Sequence, residues 1–369
     1  MRKRIVIKCG TRVLVSGEQR LRTVVLEKLL EECARLQSAG YELTLVTSGA
    51  VALGLRHIQK TRKTASATER RAAASIGQTE LLKKISDRAS DHSLTFSQLL
   101  LSREDFEHRE RFIQLKETME TLFSMGAVPL LNENDVTSLQ AVGFRDNDHV
   151  AALAALLTES RAVFFLSSTD GLYRYEGGEP VERISEVESI SEDIYQLVEQ
   201  ERDALSLGGM RSKLLSAQLA QQAGAAVWIV SGDDPAAISR ALGGESVGTA
   251  VLPIKNPLGE QLSKRKAWIA LVHEDAGSVV LDDGAVTAVT ARSKSLLPVG
   301  IIEVRGEFAE GKVVSLLSSD SKVVGRGIIN LSSKDLKKIV GMKSKEAGLT
   351  LKQEGLDEVI NRDNLVVFP

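Results

Sequence analysis

This sequence has little to support a covalent or membrane framework. Two cysteines in 369 residues, Cys9 and Cys33, cannot build a disulfide scaffold, and unpaired thiols fit a reducing compartment better than a secreted one. Charge of one sign is also missing. With 47 basic residues against 49 acidic ones, nothing points to a protein that holds nucleic acid through bulk phosphate neutralisation. The longest apolar stretch, Val150 to Leu157, is far short of the roughly 20 residues of a membrane span. The apolar run that follows the basic N-terminus is cut at Lys8, before an export signal could form its roughly 7–15-residue apolar segment. These absences predict a soluble, cytoplasmic protein, and the length predicts two or three domains. The Gly-x-x-x-x-Gly-Lys-Ser/Thr and Gly-x-Gly-x-x-Gly patterns are missing too, so any nucleotide site must be built by another scheme.

What is present is a repeated alternation of strand and helix. Strand patterns at Arg4 to Lys8, Glu42 to Val46, Ala127 to Leu131, Ala162 to Leu166 and Ala226 to Val230 each run into a short polar loop. Between them, helical spacing is seen from Leu26 to Leu36, near Asp105 to Phe123, and over Asn147 to Leu157 and Ser212 to Gln222. This predicts an α/β unit, a mainly parallel sheet sandwiched by helices, with the polar loops gathered at its carboxyl edge where such sheets bind ligands. The pattern loosens near Pro253 and Pro257, and after Trp268 it becomes short alternating strands divided by Gly and Asp turns. We therefore expect one domain over 1–252, a linker over 253–267, and a small β-barrel-like domain over 268–369.

The chemistry must lie on the loops of the first domain. Lys8 sits inside an apolar strand just before Cys9-Gly10-Thr11; it either reaches solvent from the strand end or aims a cation at phosphate, with Gly10 allowing close backbone approach. Thr47-Ser48-Gly49-Ala50 opens a helix with a hydroxyl and consecutive N–H groups, which suits an anion and equally suits a plain helix cap. Asn132-Glu133-Asn134-Asp135 and Asp146-Asn147-Asp148 are made wholly of amides and carboxylates. Each alone could be a solvated acidic turn, whereas two at neighbouring element ends could hold an amino group or orient lysines. Leu207-Gly208-Gly209-Met210-Arg211-Ser212-Lys213 is expected to be a Gly-rich turn opening a helix, with Lys213 just inside it.

Taken in order, these segments resemble the glutamate 5-kinase branch of the amino acid kinase family. The resemblance rests on Val6-Ile7-Lys8-Cys9-Gly10-Thr11, Val46-Thr47-Ser48-Gly49-Ala50, Arg109-Glu110-Arg111-Phe112, the two amide and carboxylate segments, Gly171-Leu172-Tyr173, and Gly208-Gly209-Met210 with Lys213. It continues through Ser246-Val247-Gly248-Thr249, Arg265-Lys266-Ala267-Trp268-Ile269, Asp283-Gly284-Ala285, Ser295-Leu296-Leu297-Pro298 and Gly306-Glu307-Phe308, which resemble the end of the kinase domain and a C-terminal PUA domain. Three places depart from the pattern: Ser167-Ser168 where relatives carry a hydroxyl followed by an acid, Arg145 in place of Gly, and Ser206-Leu207 in place of Gly-Thr.

The resemblance implies ATP-dependent phosphorylation of the γ-carboxylate of L-glutamate, the first step toward proline. It implies Lys8, Asp148 and Lys213 as the phosphoryl-transfer group and Ser48, Asp135 and Asn147 as glutamate-binding positions. It places Lys8, Gly10, Ser167, Ser168, Gly208, Gly209, Met210 and Lys213 at the nucleotide, with Gly208 to Met210 in a nucleotide-binding loop. Mg²⁺ is expected on the ATP phosphates, with no protein ligand assigned to it. Feedback inhibition by L-proline and a homo-oligomer are implied by the family alone. The chemistry agrees, because a carboxylate with a pKa near about 4.3 needs no general base at neutral pH, and the five histidines are scattered. Two alternatives remain: an amino acid kinase with another acceptor, or an RNA-binding protein acting through the PUA-like part. The near-equal basic and acidic counts after Ile269 speak against RNA. The basic stretch Lys60 to Arg71 is expected to be a solvated charged loop.

Overall fold

The computed structural model describes residues 3–137, 147–176, 178–199, 204–253, 266, 268–269, 277–290, 294–352 and 358–367. Its internal contacts divide the chain into two compact units, 1–255 and 256–369. Most of the expected linker, and the positions of Arg145 and Asp146, lie outside the described residues; Lys266 within that linker is helical.

The first unit begins with β1 (Arg4–Cys9), α1 (Thr11–Leu14), α2 (Thr23–Ser38), β2 (Glu42–Val46), α3 (Ala50–His57), α4 (Ala67–Ala89) and β3 (Phe96–Leu101). It continues through α5 (Arg103–Glu107), α6 (Arg109–Ser124), β4 (Val128–Glu133), α7 (Asn147–Thr158), β5 (Ala162–Ser167), the hairpin β6 (Leu172–Glu176) and β7 (Glu179–Ile184), and β8 (Glu186–Val187). It ends with α8 (Glu192–Glu199), α9 (Ala204–Gln222), β9 (Ala226–Ser231), α10 (Ala237–Leu242) and β10 (Thr249–Val251). Eight strands form one sheet in the order β3-β4-β2-β1-β5-β9-β10-β8. The pairings from β3 to β9 are parallel, and β10 reverses direction against β9.

The apolar strands explain the sheet's position. β1 is buried at every residue, and Val163 to Leu166 of β5 are fully buried, as expected for strands covered on both faces. Ile5, Ile7, Leu43, Leu45, Phe164 and Leu166 pack with the apolar face of α2 in one core. β1 lies between β2, which follows it in the chain, and β5, which comes much later. The strand order therefore switches beside β1, and the crevice beyond its carboxyl end is where a parallel sheet of this kind receives a ligand. Lys8 and Gly10 are at that end.

The β3 edge strand, the β6–β7 hairpin and the antiparallel β10 were not anticipated. β3 alternates weakly, with polar Ser97 and Gln98 among its apolar residues, so its sequence carries little strand signal. The second unit is a five-stranded sheet, order β12-β11-β13-β14-β15, from β11 (Ser278–Leu281), β12 (Ile301–Arg305), β13 (Val313–Leu317), β14 (Val323–Ile328) and β15 (Leu365–Val367). Helices Asp283–Thr290, Ser333–Ile339 and Ser344–Leu351 accompany it around a separate apolar core. Among the described residues its edge strands β12 and β15 are not paired with each other. Also among the described residues, no helix is long and apolar enough to cross a membrane.

Candidate active site

Lys8 is the fifth residue of β1 and Asp148 the second of α7, so the two meet only through the fold. Lys8 Nζ is 2.6 Å from Asp148 Oδ1, and Lys213 Nζ, from α9, is 3.0 Å from Oδ2 and 3.2 Å from Oδ1. All three side chains are at least nine-tenths buried. Burial pushes the Asp148 pKa up, but Lys213 and Lys8 more than reverse it, and the carboxyl stays below the usual aspartate value. Lys213 also sits over the Phe165 ring, 5.1 Å from its centroid. The result is two lysine ammonium groups held by one aspartate, all three side chains largely out of water, next to Gly10 where a Cβ would come 3.8 Å from Lys8 Nζ.

One peptide step before Asp148, Asn147 belongs to a second cluster. Asn147 Nδ2 donates to Ser48 Oγ at 3.0 Å and to Asn132 Oδ1 at 2.8 Å, and Asn132 Nδ2 donates to Gln78 Oε1 at 2.7 Å. Ser48 reaches this position because Gly49 adopts a φ of +115° as it leads into α3; a Cβ there would strike Val15 at 2.7 Å. Asp135 follows β4 and lines a cavity of about 530 Å³ together with Gln78, Ser75, Thr79, Glu133 and Asn134. Burial raises the Asp135 pKa, and the nearby Arg62 charge opposes that shift.

The structure thus brings Lys8, Gly10, Asp148 and Lys213 together, and beside them Ser48 and Asn147. Ser167 and exposed Ser168 lie at the end of β5, the neighbouring strand, where the Ser167 carbonyl accepts from Gly232 N–H at 2.7 Å. The nearest acid in that loop, Asp170, is engaged by Tyr173 Oη at 2.7 Å and Arg183 at 3.2 Å. The expected turn at Gly208, Gly209 and Met210 is corrected, since all three lie inside α9, which begins at Ala204. Glycine weakens a helix without forbidding it, and the flanking Leu205, Leu207 and Met210 are good helix formers. Gly209 and Lys213, four residues apart, still share a helix face. The basic stretch is in part ordered: Ser66 caps α4 through a reciprocal box with Glu69, which also holds Lys60 at 2.6 Å.

Gln78, Asn132 as a contact residue, and Phe165 were not singled out from sequence. Gln78 had a faint signal in the small residues around it, because Gly54 in α3 and Gly77 in α4 mark a close helix crossing.

A family model described as the amino acid kinase family matches residues 3–231, and one described as the PUA domain matches 277–347. The chain belongs to the amino acid kinase family. Its similarity to curated members extends over nearly its whole length. It is 34% identical over 367 residues to a glutamate 5-kinase of Caldanaerobacter subterraneus subsp. tengcongensis, which covers 99% of this chain and 98% of that relative. It is 35% identical over 368 residues to a glutamate 5-kinase of Geobacter metallireducens, and 36% identical over 370 residues to one of Synechococcus sp., with the same coverage of both chains. Within this amino acid kinase, the lysine cluster and the amide cluster are joined through consecutive residues of a single helix turn.

Proposed function

We infer that this chain is a glutamate 5-kinase, transferring the γ-phosphoryl group of ATP to the γ-carboxylate of L-glutamate as the first step of proline biosynthesis. The observation that carries the reading is the adjacency of Asn147 and Asp148. The first belongs to a cluster suited to a polar acceptor, the second to a cationic cluster suited to phosphate, so acceptor and donor meet across one peptide unit.

In this scheme a γ-carboxylate oxygen attacks the γ-phosphorus, the bond to the bridging oxygen breaks, and ADP leaves with the electron pair. The nucleophile is already ionised, so the protein's task is to align two anions and offset their charge. Lys8 faces the transferring group, Lys213 faces the nucleotide phosphates, and Asp148 holds both ammonium groups in place. Ser48 and Asn147 bind the acceptor, and Asp135 takes its ammonium. Gly10, Ser167, Ser168, Gly208, Gly209 and Met210 border the nucleotide. Two buried lysine ammonium groups side by side suit a polyphosphate. Both Asp148 carboxylate oxygens are engaged by lysines. Magnesium on the ATP phosphates would supply further charge neutralisation there, and no protein ligand is assigned to it.

A coupled assay of ADP release with MgATP tests the reading, comparing L-glutamate with N-acetylglutamate, aspartate and a nucleoside monophosphate. Glutamate is expected to be preferred by at least tenfold, and preference for another acceptor would replace it. Adding L-proline to the same assay tests feedback inhibition, and sedimentation tests self-association. We place the protein in the cytoplasm.

A further inference from the structure

The amide cluster contains a donor that the scheme above leaves unused. Its orientation follows from a backbone group that cannot be reversed. Glu133 N–H donates to Asn132 Oδ1 at 3.0 Å and to Asn147 Oδ1 at 3.2 Å, so both of those atoms are oxygens. Asn147 Nδ2 must then be the donor to Asn132 Oδ1 and Ser48 Oγ, and Asn132 Nδ2 the donor to Gln78. Gln78 consequently presents its oxygen to Asn132 and turns its Nε2 the other way. That nitrogen is buried and has no acceptor among the described residues. Leaving a buried amide donor without a partner is costly, and a bound ligand with an acceptor oxygen would recover that cost. The same polarity leaves the Ser48 hydroxyl, having accepted from Asn147, free to donate.

The backbone holds Gln78 in place. A Cβ on Gly77 would lie 1.9 Å from the Ala50 carbonyl oxygen and 2.6 Å from Gly54 N, so α3 and α4 cross with their main chains in contact. Ser48 lies two residues before the start of α3 and Gln78 follows Gly77, so this crossing brings both donors to one place. Gln78 and Asp135 line the same cavity. A cavity lined by an amide side chain, whose donor lies covered behind the surface without a partner, and by a carboxylate has the chemistry to take up the carboxylate and ammonium of an α-amino acid.

We propose that Gln78 contacts the substrate, donating from Nε2 to the α-carboxylate of glutamate while its Oε1 steadies the Asn132–Asn147–Ser48 chain, and thereby selects acceptors that carry an α-carboxylate. The proposal rests on the glutamate reading. Its test uses the full-length chain with three acceptors: glutamate, 4-aminobutyrate, which lacks the α-carboxylate, and glutarate, which lacks the ammonium. Gln78→Glu keeps the oxygen that receives Asn132 Nδ2 and replaces the donor with an anion; Gln78→Ala removes both. Both variants are expected to raise the KM for glutamate by about 10- to 100-fold, the range of a hydrogen bond to a charged group, with kcat and the KM for ATP within about threefold. The preference for glutamate over 4-aminobutyrate should fall by the same factor, and the preference over glutarate should persist. Equal losses on all three acceptors, a change in kcat alone, or an unchanged glutamate to 4-aminobutyrate ratio in Gln78→Glu would overturn the contact. If the unmodified chain released no ADP with glutamate, the functional reading itself would fail, an outcome distinct from the others.

Discussion

Asp148→Asn perturbs the site with almost no change in shape, so its effect can be worked from the structure. The carboxylate has two lysines within 3.0 Å, and all three side chains are under 10% exposed. An amide keeps one acceptor oxygen, enough for one ammonium, and sets an NH₂ group against the other. Removing one partner of a buried ion pair usually costs about 3–5 kcal/mol, because the charge that remains is desolvated and has lost that partner. For a unit of this size each kcal/mol corresponds to roughly 2–4 °C, giving a fall in melting temperature of about 6–20 °C. Lys8→Met should cost much less, since it leaves Asp148 paired with Lys213. The assay is thermal unfolding by circular dichroism for the three proteins, with and without ATP. Triphosphate supplies the missing negative charge, so ATP should raise the melting temperature of Asp148→Asn by more than that of the unmodified protein. A variant melting within about 2 °C of the unmodified chain, or Lys8→Met proving the less stable of the two, would refute the charge argument.

Further outcomes follow from the same geometry. Lys8→Met and Lys213→Met should each lower kcat by about 10²–10³-fold, the loss typical of a preorganised charge at a transition state, as measured by ADP release; near-normal turnover in either would remove that lysine from the chemistry. Gly54→Ala would place a Cβ 1.8 Å from the Ala73 carbonyl oxygen, so overpacking of about 1–3 kcal/mol or more should outweigh the helix-propensity gain of about 1 kcal/mol. Its denaturation midpoint should fall and its KM for glutamate rise, whereas Gly17→Ala, where a Cβ meets nothing, should change neither. Because the Asp135 pKa is raised by burial, its carboxylate is lost as pH falls through a value above the ordinary 3.9 or so, and kcat/KM for glutamate should decline over that window while the KM for ATP stays level. The Asp148 pKa is lowered, so the stability that its ion pairs contribute is fully present at neutral pH and disappears only below the ordinary aspartate range.

The parallel strands are legible because they are buried on both faces and so read as apolar runs; the pattern over Glu42–Val46 matches the strand to the residue. Edge elements such as Phe96–Leu101 were not, since one side of an edge strand tolerates polar residues and blurs the pattern. Lys8, Asp148 and Lys213 could be named from their oddity, a lysine in a strand and a carboxylate between amides, together with a family resemblance. Nothing in the local pattern showed that one aspartate holds both lysines, because residues 8, 148 and 213 meet only when β1, α7 and α9 pack together.

Gln78 shows the same limit from the other side. As a polar residue on a helix of mixed composition, with Thr79 and Glu80 beside it, it gives no sign that it differs from any solvated glutamine. Its role depends on Gly77 and Gly54 letting two helices touch, and on a backbone N–H at Glu133 that orients three amides in turn. Composition and periodicity describe each element alone, and they established the sheet, its covering helices and a near-neutral chain with few cysteines. Distance, burial and hydrogen-bond direction are properties of elements in contact, and those are what turned separate polar loops into one site.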